Sequence, residues 1–193
     1  MSIEKVRIAK KIKTQNLQYF DNKFNVDFSK SLTRDYLGYD KESHCFGYQP
    51  SFVMPNIFSY LKVSRSDSIL DIGCGKGFAI HLFSSLPFGR IDGIESKSEL
   101  VYIAKDNLTK LHPEDDRIHI FKIDAVDFVN YENYDFLYLF NPFDEVIVDI
   151  ICQKLENHQS CKIIYQIPLY VDVFLRHGFE IEYEADGTIV LRR

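Results

Sequence analysis

The sequence predicts an α/β fold, a three-layer doubly wound sandwich on a seven-stranded, mostly parallel sheet whose last strand is antiparallel. From residue 67 onward, short β-rich apolar runs alternate with segments of helical period. An Asp186-Gly187 turn joins the last two runs and indicates a closing hairpin. A glycine-rich stretch, DIGCGKG, begins inside the first run. We therefore expect an N-terminal helical extension over 1–66 and one sandwich domain over 67–193.

Seven runs carry the strand pattern. They are rich in β-branched and aromatic residues, and turn residues separate them from helical segments. In chain order they are Ser68–Ile72, Ile91–Ile94, Ile118–Ile123, Phe136–Phe140, Lys162–Gln166, Glu180–Glu184 and Thr188–Leu191. Every strand before the final hairpin is predicted to be followed by a crossover, which makes the sheet mostly parallel.

Helices are predicted between the strands. Ser96 and Glu99 have the spacing of a capping box, and Asp144 is a good N-cap for a later helix. A short last helix over Leu169–Arg176 should end at Gly178. The first two helices have apolar stripes at three-to-four spacing, Leu100, Ile103, Ala104, Leu108 and Leu111 in one and Val146, Ile147, Ile150, Ile151 and Leu155 in the other.

The pattern is weaker before residue 67. Phe20, Phe24 and Phe28 recur every four residues, which predicts one helix face packed against the domain. A proline-containing loop then leads into a helix from about Met54 to Leu61.

Composition favours a soluble intracellular protein of the cytoplasm. The chain has 193 residues, 46% of them hydrophobic, and no apolar run of 18 residues. Its N-terminus lacks the pattern of a signal peptide, so we expect no membrane partner. Four cysteines stand at least nine residues apart, without CxxC or HxxxH spacing, which predicts reduced thiols and no metal site.

Charge is distributed unevenly. Residues 1–30 contain seven Lys or Arg and three Asp or Glu, whereas the remainder contains 16 and 25, a net charge of −9. An acidic body repels a phosphate backbone, so we expect no nucleic-acid partner unless the basic N-terminus docks one. A solvated N-terminal helix is the simpler interpretation of that basic segment.

The glycine loop predicts a nucleotide-like ligand. Gly73, Gly75 and Gly77 follow the first strand and precede a helix from about Phe78. Glycines there let a ligand approach backbone N–H groups at a helix N-terminus. A tight turn alone would account for one glycine more easily than for three. Cys74 lies inside the loop, where a small residue fits.

Three more groups follow strand ends, where parallel sheets collect ligand-binding residues. Glu95 ends the second strand, 22 residues after Gly73, where a carboxylate can accept both ribose hydroxyls. Asp124, followed by Ala125, ends the third strand and can accept a hydrogen bond from an adenine amine. Asn141-Pro142-Phe143 follows the fourth strand. His44 and His81 are more simply packed or exposed histidines than bases.

In this order, these motifs resemble the class I S-adenosylmethionine-dependent methyltransferases, which have a Rossmann-like fold. The resemblance covers roughly residues 67–193. Within that superfamily the chain is most similar to a group of small, largely uncharacterised bacterial enzymes with an Asn-Pro-Phe motif. Those share a Phe-Asp element, here Phe20-Asp21, and a Tyr-x-Pro-Ser loop, here Tyr48 to Ser51.

The resemblance implies S-adenosyl-L-methionine as cofactor and a small-molecule or protein side chain as methyl acceptor. Asn141 and Pro142 would hold the acceptor, for example an amine, while Phe143 would cover its face. Asp71 would attract the cofactor's amino group. The implied cofactor residues are Asp71, Gly73, Cys74, Gly75, Gly77, Glu95, Ser96, Asp124, Ala125, Asn141, Tyr48 and Ser51.

The motif after the fourth strand departs from the Asn-Pro-Pro-Tyr of enzymes that methylate amines, because it is one proline short. Two alternatives stay open. An NAD(P)-dependent oxidoreductase has a similar glycine fingerprint, but it needs a small residue where Phe78 stands. A non-catalytic S-adenosylmethionine-binding protein would share every cofactor residue.

Overall fold

The computed structural model of the chain describes residues 16–39, 45, 47–51, 54–158 and 160–193. The strands are β1 Ser68–Ile72, β2 Arg90–Glu95, β3 Ile118–Lys122, β4 Phe136–Leu139, β5 Lys162–Gln166, β6 Glu180–Ala185 and β7 Thr188–Arg192. The helices are α1 over 16–24, α2 Pro55–Tyr60, α3 Phe78–Phe83, α4 Ser98–Leu111, α5 Glu145–Lys154 and α6 Val171–Arg176.

The strands form one seven-stranded sheet in the order β3-β2-β1-β4-β5-β7-β6. Strands β1 to β5 are parallel to one another, and β7 is antiparallel to both β5 and β6. The predicted antiparallel last strand is confirmed, although it lies between β5 and β6 rather than at the edge. Asp186 and Gly187 both have positive φ, 55° and 66°, as a type I′ hairpin turn requires.

Helices cover both faces of this sheet. The strands β1 and β4 are buried along their whole length, as expected for strands packed on two sides. One apolar cluster joins α2, α3 and α4 to one face. A second joins α5 and α6 to the other. The predicted three-layer sandwich is therefore confirmed.

Several helix details differ from the prediction. Helix α4 begins at Ser98 with Lys97 as its N-cap, and no side chain caps it, so the predicted capping box is wrong. The Ser96 hydroxyl instead lies 3.5 Å from the Glu95 carboxylate. Asp144 does cap α5, since its Oδ1 accepts from the amide of Val146, whose own side chain is exposed rather than part of the buried stripe.

The connection from β3 to β4 also differs from the prediction. Its described structure is a set of turns followed by a 3₁₀ helix over Tyr131–Asn133, where a crossover helix was expected. The Tyr131 hydroxyl donates to the carbonyl of Ala125 at 2.9 Å. This bond ties the start of the connection to its end and fixes the segment that follows β3.

The N-terminal segment packs on α3 and α4. Helix α1 ends at residue 24, so Phe28 lies beyond it, and the predicted single aromatic face is wrong in that respect. Phe28 is fully buried against Phe78, whereas Phe24 is 42% exposed. The Asp21 carboxylate accepts from the amides of Phe28 and Ser29 at 3.0 and 2.7 Å. Residues 1–15, which include most of the basic segment, and His44 lie outside the described residues.

Candidate functional site

A cavity lies at the carboxyl ends of β1 and β4, where the strand order of the sheet reverses direction. Ligands of open α/β sheets bind at this switch point. Its volume is about 540 Å³, within the range of about 300 to 1,000 Å³ for small-molecule sites. With one exception, every residue that the sequence singles out for cofactor or acceptor binding lines this cavity.

The exception is Gly77, which lies behind the loop. It is the N-cap of α3 with φ 82°, and a Cβ there would meet Leu108 and Ala104 at 2.9 and 3.4 Å. Its lack of a side chain lets α3 approach α4 closely. Gly77 therefore has a packing role in the structure, and its contact with the cofactor stays a prediction.

The backbone amides of the glycine loop donate hydrogen bonds to acceptors within the protein. The amides of Gly73 and Cys74 both donate to the carbonyl of Ile94, at 2.9 and 3.0 Å. The Gly75 amide donates to Glu95 Oε2 at 3.1 Å, and the Gly77 amide donates to the Cys74 carbonyl. The prediction that these amides face a ligand is wrong for all four, since each already has a protein acceptor.

The glycines instead provide space. Gly73 has φ 76°, and a Cβ there would lie 2.7 Å from Cβ of Pro142. Gly75 has φ 55°, and its Cβ would lie 2.4 Å from the Tyr48 ring. The loop is thus pressed between the segment after β4 on one side and the N-terminal segment on the other. This contact brings Asn141 next to the glycine loop.

Asp71 places a buried carboxylate in the cavity. It is 3% exposed, and no hydrogen bond to its side chain occurs among the described residues. Burial, and then the neighbouring charge of Glu95, raise the pKa of Asp71 well above its usual range. Such a carboxylate is stabilised by a cationic ligand, so it fits the amino group and sulfonium of S-adenosylmethionine.

Glu95 is held at the end of β2 by backbone donors. Its Oε2 accepts from Gly75, and its Oε1 accepts from the Lys97 amide at 2.9 Å. Burial raises the pKa of Glu95, and these hydrogen bonds oppose that rise. The side chain is thus fixed in the cavity wall, and its remaining lone pairs can accept from a ligand's hydroxyls.

Asp124 and Ala125 line the same end of the cavity. Asp124 Oδ1 accepts from the Val126 amide at 3.0 Å and closes the turn after β3. No hydrogen bond to Oδ2 occurs among the described residues. Asp124 therefore closes a turn and also lines the cavity, where its Oδ2 can accept a hydrogen bond from a ligand.

Asn141, Pro142 and Phe143 lie at the opposite end. Asn141 has φ 45°, a left-handed backbone that asparagine tolerates better than most residues. Its Oδ1 accepts from the Tyr165 hydroxyl at 3.2 Å. Phe143 is 7% exposed, belongs to the main apolar cluster and forms a β-bridge with Cys45. Most of the Phe143 surface thus packs inside the protein.

The N-terminal segment completes the cavity wall. The Tyr48 hydroxyl donates to the Phe28 carbonyl at 2.8 Å, and its ring lies under Gly75. Ser51 is buried in the same wall. Tyr39, which the sequence did not single out, has its hydroxyl 3.4 Å from Ser96 Oγ and its ring 4.0 Å from Lys97 Nζ. No pattern of spacing marks Tyr39 in advance.

A buried lysine anchors this segment. Lys76 is fully buried, and its ammonium contacts Asp27 at 2.7 Å and the Lys30 carbonyl at 3.0 Å. Asn107 on α4 exchanges hydrogen bonds with the Asp27 backbone and also donates to the Lys76 carbonyl. The sequence predicted none of these contacts, because they join positions as far as 80 residues apart.

Cys74 and His81, which the sequence also singles out, both pack on protein neighbours. Cys74 is buried against Gly93 and Ile80, and burial raises the pKa of its thiol well above the usual range. His81 lies outside the cavity, with its Nδ1 2.9 Å from Nε2 of His112. Burial and then the neighbouring His112 lower the pKa of His81 to about 4.

The charge of the cavity is negative. Asp71, Glu95 and Asp124 line it, and no Lys, Arg or His is among its described lining residues. The part of the chain that the structure describes also contains no cluster of metal-ligating side chains and no helix that is long and apolar enough to cross a membrane. A cationic cofactor fits this cavity, whereas a pyrophosphate would lie among uncompensated carboxylates.

The fold is that of S-adenosylmethionine-dependent methyltransferases. Residues 9–156 match the family model described as protein-L-isoaspartate (D-aspartate) O-methyltransferase. The chain belongs to this family. Its cofactor is accordingly S-adenosylmethionine.

Solved methyltransferase structures share the fold at low identity. Magnesium protoporphyrin IX methyltransferase from Synechocystis PCC 6803, solved with bound S-adenosylmethionine, is 14% identical with a TM-score of 0.55, covering 71% of this chain and 75% of that one. A candidate S-adenosylmethionine-dependent methyltransferase from Methanococcus maripaludis is 15% identical with a TM-score of 0.58, covering 72% and 81%.

A third similar structure is a TehB-like methyltransferase from Corynebacterium glutamicum, 14% identical with a TM-score of 0.54, covering 74% of this chain and 88% of that one. None of the curated proteins compared with the chain matches it. At these identities the structural likeness concerns the fold, and the family match carries the assignment to a methyltransferase.

Proposed function

We propose that the chain transfers the methyl group of S-adenosylmethionine directly, by in-line displacement, to an acceptor held beside Asn141. The observation that carries this proposal is the cavity itself, which is lined by acidic groups at three strand ends and by Asn141, and whose neighbouring Pro142 packs on Gly73 of the glycine loop. The cofactor supplies an activated methyl group on its sulfonium. The chain has to bind, align and exclude water.

Each of the three acidic residues binds a different part of the cofactor. Asp71 attracts the amino group and the sulfonium, since its buried carboxylate has no other partner among the described residues. Glu95 accepts from the ribose hydroxyls, and Asp124 accepts from the adenine amine. Ser96 and Ala125 border these groups, while Tyr48 and Ser51 support the loop from the N-terminal side.

Positioning supplies most of the catalysis in this proposal. Alignment of a nucleophile behind a methyl group contributes about 7 to 11 kcal/mol, more than the 3 to 5 kcal/mol from one general base. Asn141 is well suited to alignment, because Pro142 stiffens the backbone after it and packs on Gly73. The lack of histidine or lysine among the described lining residues is then no obstacle.

Two acceptor classes fit this part of the cavity. The family's name implies an oxygen, the carboxylate of an isoaspartyl residue. The Asn-Pro-Phe motif is one proline short of the Asn-Pro-Pro-Tyr of amine-methylating enzymes, and this likeness suggests an amine of a small molecule or a protein side chain. Both are acceptors for a cytoplasmic enzyme, and the buried thiols of Cys74, Cys152 and Cys161 suit a reducing compartment.

Cofactor choice is tested by calorimetry with S-adenosylhomocysteine and with NADH. The proposal requires that the first binds and the second does not, because the described cavity offers no cation to a pyrophosphate. Tight NADH binding would favour the oxidoreductase alternative. Phe78 already argues against that enzyme, since it occupies the position where a dinucleotide site needs a small residue.

Turnover is tested with the purified chain, S-adenosylmethionine and a boiled cell extract as the source of acceptors. S-adenosylhomocysteine should form faster than with a Glu95→Ala variant, which removes the predicted ribose contact. Equal rates for the two proteins would favour the non-catalytic cofactor-binding alternative. Boiling removes the extract's own enzymes, so the measured rate belongs to the added protein.

A further inference from the structure

Tyr165 makes a hydrogen-bonded link behind Asn141. Its hydroxyl accepts from the Tyr170 amide at 3.4 Å and donates to Asn141 Oδ1 at 3.2 Å. Tyr165 is fully buried on β5, the strand next to β4. The link therefore starts from the backbone of the segment after β5 and ends on the side chain that faces the acceptor.

The direction of the two hydrogen bonds in this link is determined by the Tyr170 amide. A backbone N–H can only donate, so the Tyr165 oxygen uses a lone pair for Tyr170. The single hydroxyl proton is then directed to Asn141, which must present its carbonyl oxygen to receive it. This arrangement satisfies all three groups, whereas the reversed amide would leave the hydroxyl proton without an acceptor.

The orientation of Asn141 decides what its amide offers to the cavity. Because Oδ1 is engaged by Tyr165, the Nδ2 group is left with its two protons, and no protein hydrogen bond to Nδ2 occurs among the described residues. Asn141 is partly exposed and lines the cavity. An NH₂ group donates hydrogen bonds, so the Asn141 amide nitrogen holds an acceptor atom that has free lone pairs.

We infer that Tyr165 is a positioning residue that turns the Asn141 amide nitrogen toward the acceptor, so that the chain methylates an oxygen rather than an amine. This inference rests on the proposed function and chooses between its two acceptor classes. The oxygen's lone pair attacks the methyl carbon as the methyl–sulfur bond breaks, and the electron pair stays on the sulfur. A carboxylate acceptor releases no proton, whereas a hydroxyl acceptor loses its proton to water.

The backbone supports a fixed orientation at this point. Asn141 and Ile167 follow the adjacent strands β4 and β5, and both have left-handed φ values, 45° and 50°. For a β-branched residue such as Ile167 this conformation is strained, and strain of this kind collects at functional sites. The residues after Ile167 place the Tyr170 amide within hydrogen-bond distance of the Tyr165 hydroxyl. The two strand ends are thus joined through one buried side chain.

The first test identifies the atom that receives the methyl group. The wild-type chain is incubated with S-adenosylmethionine labelled with ¹³C in its methyl group and with a boiled cell extract. The ¹³C chemical shift of the product then separates methyl on oxygen from methyl on nitrogen, and release of methanol in alkali separates carboxyl esters from ethers. Methyl on oxygen supports the inference, and methyl on nitrogen overturns it.

Two variants test the link itself. Tyr165→Phe removes the hydroxyl and frees the amide to rotate, so we expect turnover about two- to tenfold slower, the effect of one hydrogen bond. Asn141→Asp keeps an acceptor for Tyr165 but offers no N–H, so turnover should fall at least about tenfold. The carboxylate of the Asn141→Asp variant could still bind an amine, because it accepts hydrogen bonds from the amine's N–H groups. Unchanged or faster turnover by Asn141→Asp would therefore refute the inference.

Tyr134→Phe is the matched control. Its hydroxyl is also buried and bonded to a side chain, Asp92, at 2.6 Å, but Tyr134 does not line the cavity. Both tyrosine variants should lose stability, and both should bind S-adenosylhomocysteine like the wild type, while only Tyr165→Phe slows turnover. Equal turnover by the two variants would overturn the inference. Absence of turnover in the wild type would contradict the proposed function itself.

Discussion

Replacing Asp71 with asparagine is expected to stabilise the folded chain and to weaken cofactor binding. The Asp71 carboxylate is buried, and no described group donates a hydrogen bond to it. Its burial therefore costs free energy that a neutral amide of the same shape avoids. The same charge is the group that we assign to the cationic end of S-adenosylmethionine. Stability and affinity should consequently change in opposite directions.

The pH dependence gives the magnitude of the stability effect. The pKa of Asp71 is raised in the folded chain, so its stabilising contribution is complete below the unfolded pKa of about 3.9 and is lost as the pH rises. The loss is about 1.4 kcal/mol for each pH unit until the pH passes the folded-state pKa. For a chain of this size, that corresponds to about 3 to 6 °C in the melting temperature.

Two assays across a pH series measure these effects. In thermal unfolding, the melting temperature of Asp71→Asn should increase relative to that of the wild type as the pH rises from 4. Calorimetry with S-adenosylmethionine should show wild-type affinity increasing with pH as Asp71 ionises, and the variant binding about ten- to a hundredfold more weakly at the upper end. Asp127→Asn, an exposed aspartate that does not line the cavity, is the control of equal charge change.

Two results would contradict the role of Asp71, one in stability and one in affinity. A variant that is less stable than the wild type would show that Asp71 has a stabilising partner. A variant with unchanged affinity would show that the cofactor's positive charge lies elsewhere. Either result would remove the basis for assigning Asp71 to the cationic end of the cofactor.

Three further variants test other parts of the account. Glu95→Gln should weaken S-adenosylhomocysteine binding about ten- to a hundredfold in calorimetry, since a charge-assisted acceptor is lost; an unchanged dissociation constant would contradict the ribose assignment. Gly73→Ala should lower the unfolding free energy by at least about 1 to 2 kcal/mol in urea, because φ is positive and Pro142 is in contact. Wild-type stability would refute that packing. Asp27→Asn should speed proteolysis of the N-terminal segment by weakening the partner of buried Lys76, and unchanged protection would show that this ion pair does not anchor it.

The sheet could be predicted because its signals are local. Ser68–Ile72 and Lys162–Gln166 were predicted with the bounds that the structure has, since both are short apolar runs between turn residues. Most other strand ends differ by one residue. The Asp-Gly hairpin was recognised from two residues whose positive φ the turn requires. The position of β7 inside the sheet is set by long-range pairing and leaves no local signal.

The site was predictable where a residue type follows a strand end. Asp71, Glu95, Asp124 and Asn141 line one cavity because the carboxyl ends of parallel strands meet at one edge. The direction of the loop amides was not predictable, since it depends on the carbonyl of Ile94 in the neighbouring strand. The same holds for the Tyr165 link and for buried Lys76, whose partners are distant in sequence.

The central claim is that the acids at the strand ends of this cavity hold S-adenosylmethionine. A crystal structure of the chain with S-adenosylhomocysteine tests it most directly. The account predicts the ribose hydroxyls on the Glu95 carboxylate, the adenine amine at Asp124 and the amino group at Asp71. A nucleoside bound outside this cavity, or one whose ribose makes no contact with Glu95, would contradict the account.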